Sequence, residues 1–512
     1  MRYLSTRGGT PPVSPAEAIL LGIAPDGGLF VPEAVPRLEV AGTGRAGNDG
    51  AAFRDTALEV LAPYLIDFDR PTLKSCVEQA YNPRTFDHPD IVSLRALDGR
   101  RHILELWHGP TAAFKDVALQ IMPSFIAAAK TVRGDRTHTL ILVATSGDTG
   151  KAALEGFKGR PGISIVVFYP HGGVSEIQRL QMVTTEGSNT HVVAVRGNFD
   201  DCQTGVKALF NDPALRARLG EAGVVFSSAN SINWGRLCPQ IAYYAHAYRT
   251  LVARGAVAPG DPVDLCVPTG NFGNILAGWY ARAMGLPVRK LVCASNRNNI
   301  LTDFFRTGVY DLRREFHRTS SPSMDILISS NLERFLYHTA GGDAGKVRGW
   351  FDEMGRTGRF AVAPALRDAL AGIVVPGWMD EPRVFATIRE VFRETGALID
   401  THTAVAVAVS RDETAKGGGL GPAGPPLIIA STASPYKFSG DVLAAITGER
   451  PADEFSAIER LREISGVPVH RAVRGLREKP ERHSRVVEIA GMKDVVLDVV
   501  AGLDGGAKES GS

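Results

Sequence analysis

The sequence predicts a doubly wound α/β fold with mostly parallel sheets, an N-terminal region and a helical C-terminal part. Short, almost wholly apolar runs such as TLILVA (139–144) and ISIVVFY (163–169) have the length and composition of strands buried on both faces. Helical stretches alternate with these runs, which indicates βαβ units joined by right-handed crossovers. Polar, glycine-rich turns follow several of the runs, at the sheet edge where open α/β folds bind ligands.

The alternation assigns each element in turn. Strands are predicted at 139–144, 163–169, 191–196, 263–267, 288–293 and 426–430, and helices at 51–65, 65–81, 151–157, 174–184, 201–210 and from the turn at 267–274 as far as 283. Residues 299–395 are expected to be mostly helical, and the polar, glycine-rich residues 504–512 to form a frayed tail. We therefore expect an N-terminal region (1–100), an α/β core (101–300) and a helix-rich region (301–512) that returns to the core near 426–440.

Charge and composition exclude several classes of protein. The 57 Lys and Arg residues nearly balance the 55 Asp and Glu residues, so no overall basic field favours nucleic acid or an anionic membrane surface. The locally basic segment 471–485 is interpreted as a solvated face or loop. No apolar run approaches the roughly 18 residues that span a bilayer.

Cysteine usage indicates a reducing compartment. The five cysteines are odd in number, widely spaced and form no CxxC pair, which argues against a disulfide framework and a zinc site. The first residues, MRYLSTRGG, lack the layout of a signal peptide. We expect a cytoplasmic protein without a bound metal.

A lysine that could act as a nucleophile lies in the segment WHGPTAAFKDVALQ (107–120). Lys115 stands among small and apolar residues at the head of a predicted helix. A lysine that acts as a nucleophile must be unprotonated, and desolvation favours the neutral amine. An isolated lysine would more often be an ordinary surface residue, as most lysines are, and it is the whole segment that favours the nucleophile.

Three further segments place polar groups at the ends of predicted strands. In ATSGDTG (144–150), Ser146, Asp148 and Thr149 lie at a helix N-terminus, where they could bind a ligand or only cap the helix. In IASTASPYKF (429–438), Thr432 falls at the carboxyl edge of the sheet, where a capping threonine is the alternative.

The third of these segments is VPTGNFGN (267–274), again a glycine-rich turn between strand and helix. Such a turn exposes backbone N–H groups that can bind a phosphate, although a plain connection has the same composition. It matches neither the Walker pattern nor GxGxxG. A lysine, a phosphate cradle and a hydroxyl partner are together the groups that pyridoxal phosphate requires.

At this point the sequence resembles the threonine synthase family, in its long form, among the fold-type-II, tryptophan-synthase-β-like pyridoxal-phosphate enzymes. The resemblance runs almost from end to end and rests on several long motifs in the family's order: MRYLSTRG, APDGGLFVP, HGPTAAFKD, ATSGDTG, SSANSINWGRLCPQ, PTGNFGN, SPSMDILISSNLER and DTHTAVA. One departure stands at Ser434-Pro435-Tyr436-Lys437-Phe438, where many relatives carry His-Pro-Ala-Lys-Phe.

The resemblance implies a role for each candidate residue. It implies that Lys115 holds the cofactor as a Schiff base and that Thr432 pairs with the pyridine nitrogen. The phosphate cradle would consist of Gly270, Asn271, Phe272, Gly273 and Asn274. Ser146, Asp148 and Thr149 are candidates for substrate contact.

The implied reaction converts O-phospho-L-homoserine and water to L-threonine and phosphate, in a monomer or small homo-oligomer. Two alternatives stay open. One is a phospho-lyase on the same fold that releases a 2-oxo acid, ammonia and phosphate. The other is a non-catalytic binding protein on the same scaffold.

Overall fold

The computed structural model describes residues 1–38, 50–417 and 419–509. The strands in these ranges are β1 Tyr3–Ser5, β2 Phe30–Pro32, β3 Ser93–Ala96, β4 Arg101–Glu105, β5 His138–Ala144, β6 Ile163–Pro170, β7 Thr190–Arg196, β8 Val224–Ser227, β9 Val263–Pro268, β10 Val288–Ser295, β11 Val309–Asp311, β12 Arg359–Ala361, β13 Val374–Trp378, β14 Leu427–Ser431 and β15 Val486–Glu488.

The helices fall mostly between and after these strands. They are α1 Pro15–Leu21, α2 Gly50–Leu61, α3 Arg70–Ala80, α4 Lys115–Leu119, α5 Met122–Arg133, α6 Asp148–Phe157, α7 Glu176–Val183, α8 Phe199–Asn211, α9 Pro213–Glu221, α10 Trp234–Leu237, α11 Pro239–Ala253, α12 Gly273–Ala283, α13 Ile300–Thr307, α14 Leu332–Thr339, α15 Ala344–Thr357, α16 Pro364–Ile373, α17 Glu381–Thr395, α18 Thr401–Ala415, α19 Ser439–Thr447, α20 Glu454–Ser465 and α21 Met492–Glu509.

Two sheets, in which most strands are parallel, form the centre of the fold. The smaller sheet has the order β15-β7-β6-β5-β8, and all of its pairings are parallel. Its strands β5, β6 and β7 confirm the predictions at 139–144, 163–169 and 191–196. The helices α6, α7 and α8 follow these strands along the chain, which is the expected βαβ pattern.

The larger sheet has the order β13-β10-β9-β14-β4-β3 and is parallel except for β3, which pairs antiparallel with β4. The predicted strands at 263–267, 288–293 and 426–430 are confirmed as β9, β10 and β14. The late strand β14 lies between β9 and β4, so the chain returns to the centre of this sheet after its helical region. The carboxyl ends of these strands therefore bring distant segments to one edge.

Two segments differ from the sequence-based expectation. The stretch at 299–395 is mostly helical, but Val374–Trp378 forms β13, which pairs parallel with β10 at the edge of the larger sheet. Its adjacent β-branched residues Val374 and Val375 favour an extended backbone. At the C-terminus α21 continues to Glu509, so most of the expected tail is helical, and residues 510–512 lie outside the described ranges.

The N-terminal region is bonded to residues of α14. The Thr6 hydroxyl donates to Glu333 at 2.6 Å, and Arg7 pairs with the same carboxylate at 3.0 Å. Arg334, fully buried, donates to the carbonyl oxygens of Phe30 and Ile232. These bonds join the start of the chain to the loops that surround the candidate site.

Two sequence features have simple structural counterparts. All five cysteines are buried and unbridged. Across the described ranges, no helix has the length and apolar character needed to cross a membrane.

Candidate active site

Lys115 begins the short helix α4 and is 9% exposed. The turn before it is held by the buried carboxylate of Asp116, which accepts the N–H and the hydroxyl of Thr111 at 2.8 and 2.7 Å. Gly109 lies against Asp116, since a Cβ there would meet the Asp116 Cβ at 2.4 Å. Burial lowers the pKa of the Lys115 amine. This lysine is therefore desolvated, as a nucleophilic amine requires.

The nearest charged group to Lys115 is the carboxylate of Asp148, the first residue of α6. The Lys115 Nζ lies 3.4 Å from Asp148 Oδ2, and the Ser323 hydroxyl donates to the same oxygen at 3.1 Å. On the other side, Asp148 Oδ1 lies 2.5 Å from Lys437 Nζ and accepts from Gln178 at 3.1 Å. Burial would raise the pKa of Asp148, but Lys437 and Lys115 hold it well below its usual range.

The TGNFGN turn (residues 269–274) has the geometry of an anion cradle. Phe272 adopts the left-handed conformation with φ +62°, and its buried ring packs on Phe305 and Phe335 at 5.9 and 5.3 Å. The side chain is thus directed into the core, and α12 begins at the next residue, Gly273. The first N–H groups of a helix have no partner within it, so this turn can donate to a phosphate.

Close packing against other loops shapes the cradle. A Cβ at position 270 would lie 2.6 Å from the carbonyl oxygen of Ser323, so only glycine fits there. The carbonyl of Gly270 accepts from the Ser329 hydroxyl at 2.7 Å, and that of Asn271 accepts from the Asn331 N–H at 3.1 Å. Since Ser323 also contacts Lys115 at 3.5 Å, the cradle and the lysine share one neighbour.

Asn274 contributes a buried donor to the same turn. Its Oδ1 accepts from the hydroxyls of Tyr243 and Tyr244 at 2.5 and 2.6 Å. Its Nδ2 is buried and has no partner within the described residues. A buried amide donor without an acceptor is costly, so this nitrogen fits a bound oxygen ligand.

Thr432 directly follows β14 and is 6% exposed. Its carbonyl accepts from the N–H of Phe114, the residue before Lys115, at 2.8 Å. Ser431, the preceding residue, accepts from the Trp107 indole at 3.1 Å. The structure therefore brings Thr432 next to the lysine segment.

Ser146 and Thr149 lie at the N-terminus of α6, and both are half-buried. The turn between them is held by Thr145, whose hydroxyl accepts the N–H groups of Gly147 and Gly150, both at 2.9 Å. Gly147 has φ +129°, a conformation that favours glycine. The two side chains thus share the turn that carries Asp148.

Arg236 is a candidate that sequence reasoning did not single out. It is 3% exposed, and among the described residues its Nε and Nη1 atoms have no hydrogen-bond partner. Burial lowers the pKa of its guanidinium to about 10, and it lies near enough to Lys115 to disfavour the ammonium form there. A buried cation with unused donors fits an anionic ligand. The residue stands in SSANSINWGRLCPQ, but nothing in that motif shows that the guanidinium is buried.

These groups fit pyridoxal phosphate. Lys115 supplies a desolvated amine, the TGNFGN turn supplies N–H donors and the Asn274 amide, and Thr432 supplies a hydroxyl beside the lysine segment. Among the described residues no group of three or more His, Cys, Asp or Glu side chains could hold a metal ion.

Three family models match successive parts of the chain. They describe the threonine synthase N terminus (residues 2–81), pyridoxal-phosphate dependent enzymes (95–431) and the threonine synthase C-terminal domain (403–496).

Curated relatives agree with these matches. The chain is 39% identical to threonine synthase of Pseudomonas aeruginosa, over 94% of this chain and 100% of that protein. It is 42% identical to threonine synthase-like 1 of Homo sapiens, over 84% of this chain but only 58% of that longer protein.

Solved structures give the same assignment. The structure of PLP-bound threonine synthase from Brucella melitensis superimposes with a TM-score of 0.84 at 36% identity, covering 98% of both chains. Threonine synthase from yeast gives a TM-score of 0.84 at 32% identity, covering 98% of this chain and 99% of that one. The chain therefore belongs to the threonine synthase family of pyridoxal-phosphate-dependent enzymes.

Proposed function

We propose that this protein is a threonine synthase that converts O-phospho-L-homoserine and water to L-threonine and phosphate with pyridoxal phosphate held on Lys115. The observation that carries the proposal is the convergence of the buried Lys115 amine and the TGNFGN turn on one residue, Ser323. Family membership supports the same activity.

Each cofactor-binding residue has a separate task in this proposal. Lys115 provides the amine, the backbone of residues Gly270 to Asn274 binds the phosphate, and the Thr432 hydroxyl meets the pyridine nitrogen. When bound, the cofactor supplies an electron sink for charge that develops on the substrate carbons. A hydroxyl such as that of Thr432 does not enforce protonation of the ring nitrogen as a carboxylate would.

Lys115 also moves protons in this reaction. Once the substrate amine has displaced it, the free lysine is placed to remove the Cα proton and to return protons later. A group with both tasks needs a pKa near neutrality, and burial shifts the pKa of Lys115 in that direction.

Arg236 is our candidate for binding the substrate phosphate. Its unpartnered Nε and Nη1 atoms are available to a phosphate or carboxylate oxygen, and it neighbours Lys115. Ser146 and Thr149 remain candidates for substrate contact. Asp148 also remains a candidate, and its carboxylate is already engaged by Lys115 and Lys437.

The products formed from O-phospho-L-homoserine test the proposal. With added pyridoxal phosphate, the protein should release phosphate and L-threonine in equal amounts, and Lys115→Ala should release neither. Release of 2-oxobutanoate and ammonia instead of threonine would establish the phospho-lyase alternative. A protein that binds the compound without turnover would support the non-catalytic alternative. Cytoplasmic location and a monomeric or small homo-oligomeric state remain predictions from the sequence.

A further inference from the structure

Asp148 lies between two buried lysines, only one of which the proposed reaction uses. Lys437 is fully buried, and its Nζ lies 2.5 Å from Asp148 Oδ1. The same ammonium donates to the carbonyl of Thr111 at 3.2 Å. Lys115 reaches the other carboxylate oxygen only at 3.4 Å. The carboxylate is therefore held more tightly by Lys437 than by Lys115.

The charge around Asp148 favours a difference between the two lysines. Two ammonium groups and one carboxylate would leave an uncompensated positive charge in a dry site, which is costly. An ammonium is stabilised by close acceptors, and Lys437 has two of them. Lys115 has only long contacts, to Asp148 at 3.4 Å and Ser323 at 3.5 Å. The geometry thus favours the charge on Lys437 and the neutral amine on Lys115.

The other charged groups near the two lysines either favour the same placement of the positive charge or are bonded to other residues. Arg236 disfavours a second positive charge on Lys115. The Asp116 carboxyl, which accepts two hydrogen bonds from Thr111, lies near Lys437 and so places further negative charge beside Lys437. His402 accepts the Ser323 N–H at 3.2 Å through Nε2 while its Nδ1 lies 2.8 Å from Asp400, which is the bonding of a neutral imidazole.

We propose that Lys437 is a positioning residue that engages the Asp148 carboxylate and thereby leaves Lys115 as the neutral amine. Without Lys437, Asp148 would be available to Lys115 and would stabilise its ammonium form. The consequence for catalysis rests on the proposed function, whereas the assignment of protonation states does not.

Competitive acetylation of the cofactor-free full chain tests the assignment. Trace acetic anhydride reacts only with neutral amines, so mass spectrometry of the Lys115 and Lys437 peptides against pH gives a pKa for each lysine. In the wild type, the Lys115 peptide should be acetylated near neutral pH. Lys437→Met should raise the pKa of Lys115 and so lower the neutral fraction of this amine at a given pH below that pKa. Lys437→Arg should retain the wild-type value.

The variant Asp148→Asn retains both lysines and should shift the pKa of Lys115 in the opposite direction. Removing the carboxylate should lower the pKa of Lys115, whereas a merely structural defect would not give opposite shifts in the two variants. A second readout is the rate at which added pyridoxal phosphate gains visible absorbance near pH 7.5, which should fall in Lys437→Met and recover in Lys437→Arg.

The labelling result and the enzyme assay can fail independently. If the wild type makes no threonine, the proposed function is wrong, but the pKa of Lys115 in the wild type and in Lys437→Met still decides the present assignment. The assignment is overturned if the pKa of Lys115 is unchanged or lower in Lys437→Met. If Lys437→Met does not fold, a rise in the pKa of Lys115 in Asp148→Asn would overturn it.

Discussion

Gly270 faces the carbonyl oxygen of Ser323 so closely that a Cβ on residue 270 would lie 2.6 Å from it. The hydroxyl of the same serine donates to Asp148, the partner of Lys115. A single residue thus sets the distance between the phosphate cradle and the reactive amine. The TGNFGN turn therefore needs glycine here for close approach.

Gly270→Ala should weaken cofactor binding while the fold persists. The added methyl group must displace the 323–324 backbone or the cradle, and either movement misplaces the N–H donors. We expect the dissociation constant for pyridoxal phosphate, measured by absorbance titration, to rise at least about tenfold, or about 1.4 kcal/mol. Gly349→Ala is the matched control, since a Cβ at that position in α15 meets nothing within 4 Å. Equal cofactor affinity in both variants would contradict the role of this contact.

Arg236→Met should impair substrate use without loss of stability. Removing a charged hydrogen-bond donor costs roughly 1.5–3 kcal/mol, so KM for O-phospho-L-homoserine should rise about 10- to 100-fold. Because the guanidinium is buried with unpartnered nitrogens, its loss should not lower the melting temperature.

Arg334→Met is the contrasting variant for the same experiment. Arg334 is also buried, but it donates to Phe30, Ser231, Ile232 and Asn331. Loss of the guanidinium leaves these acceptors unpaired, so the melting temperature of Arg334→Met should fall by several degrees. An unchanged KM in Arg236→Met would remove that residue from the substrate site.

Glu105→Gln should destabilise the protein near neutral pH but not in acid. Burial opposes ionisation, yet His108 at 3.1 Å, Ser93 at 2.8 Å and Arg95 at 3.2 Å hold the pKa of Glu105 down to about 2. A lowered carboxyl pKa stabilises the fold above the unfolded value of about 4.3, and this contribution is lost as pH falls toward 2.

The expected loss of stability in Glu105→Gln follows from the lowered pKa of Glu105. The difference from the unfolded value corresponds to at most about 3 kcal/mol at pH 7. Melting temperatures of wild type and variant should therefore differ most near pH 7 and converge only as the pH falls to about 2. The exposed Glu221, replaced by Gln, is the control. A difference in melting temperature that grows as the pH falls would show that the ionised Glu105 does not stabilise the fold.

The sequence predicted the parts of the fold and site that depend on local pattern. Apolar runs predicted β5, β6, β7, β9, β10 and β14 because strands buried on both faces need an unbroken apolar composition. Contiguous motifs likewise singled out Lys115, the TGNFGN turn and Thr432. Parallel strands bring their carboxyl ends to one edge, so convergence of these segments could also be anticipated.

Features that depend on distant contacts could not be predicted in this way. Ser323 joins the cradle to the lysine only through tertiary packing, and the burial of Arg236 and Lys437 leaves no mark on their local sequence. The strand β13 is short and lies among helices, so only its pairing with β10 identifies it as part of the sheet.

Identifying the residue to which pyridoxal phosphate attaches tests the proposed role of Lys115 most directly. Wild-type protein with added cofactor should gain a visible absorption band, and borohydride reduction followed by peptide mapping should place one cofactor on Lys115. Lys115→Ala should lack the band. A label on Lys437, or an equally intense band in Lys115→Ala, would contradict the account.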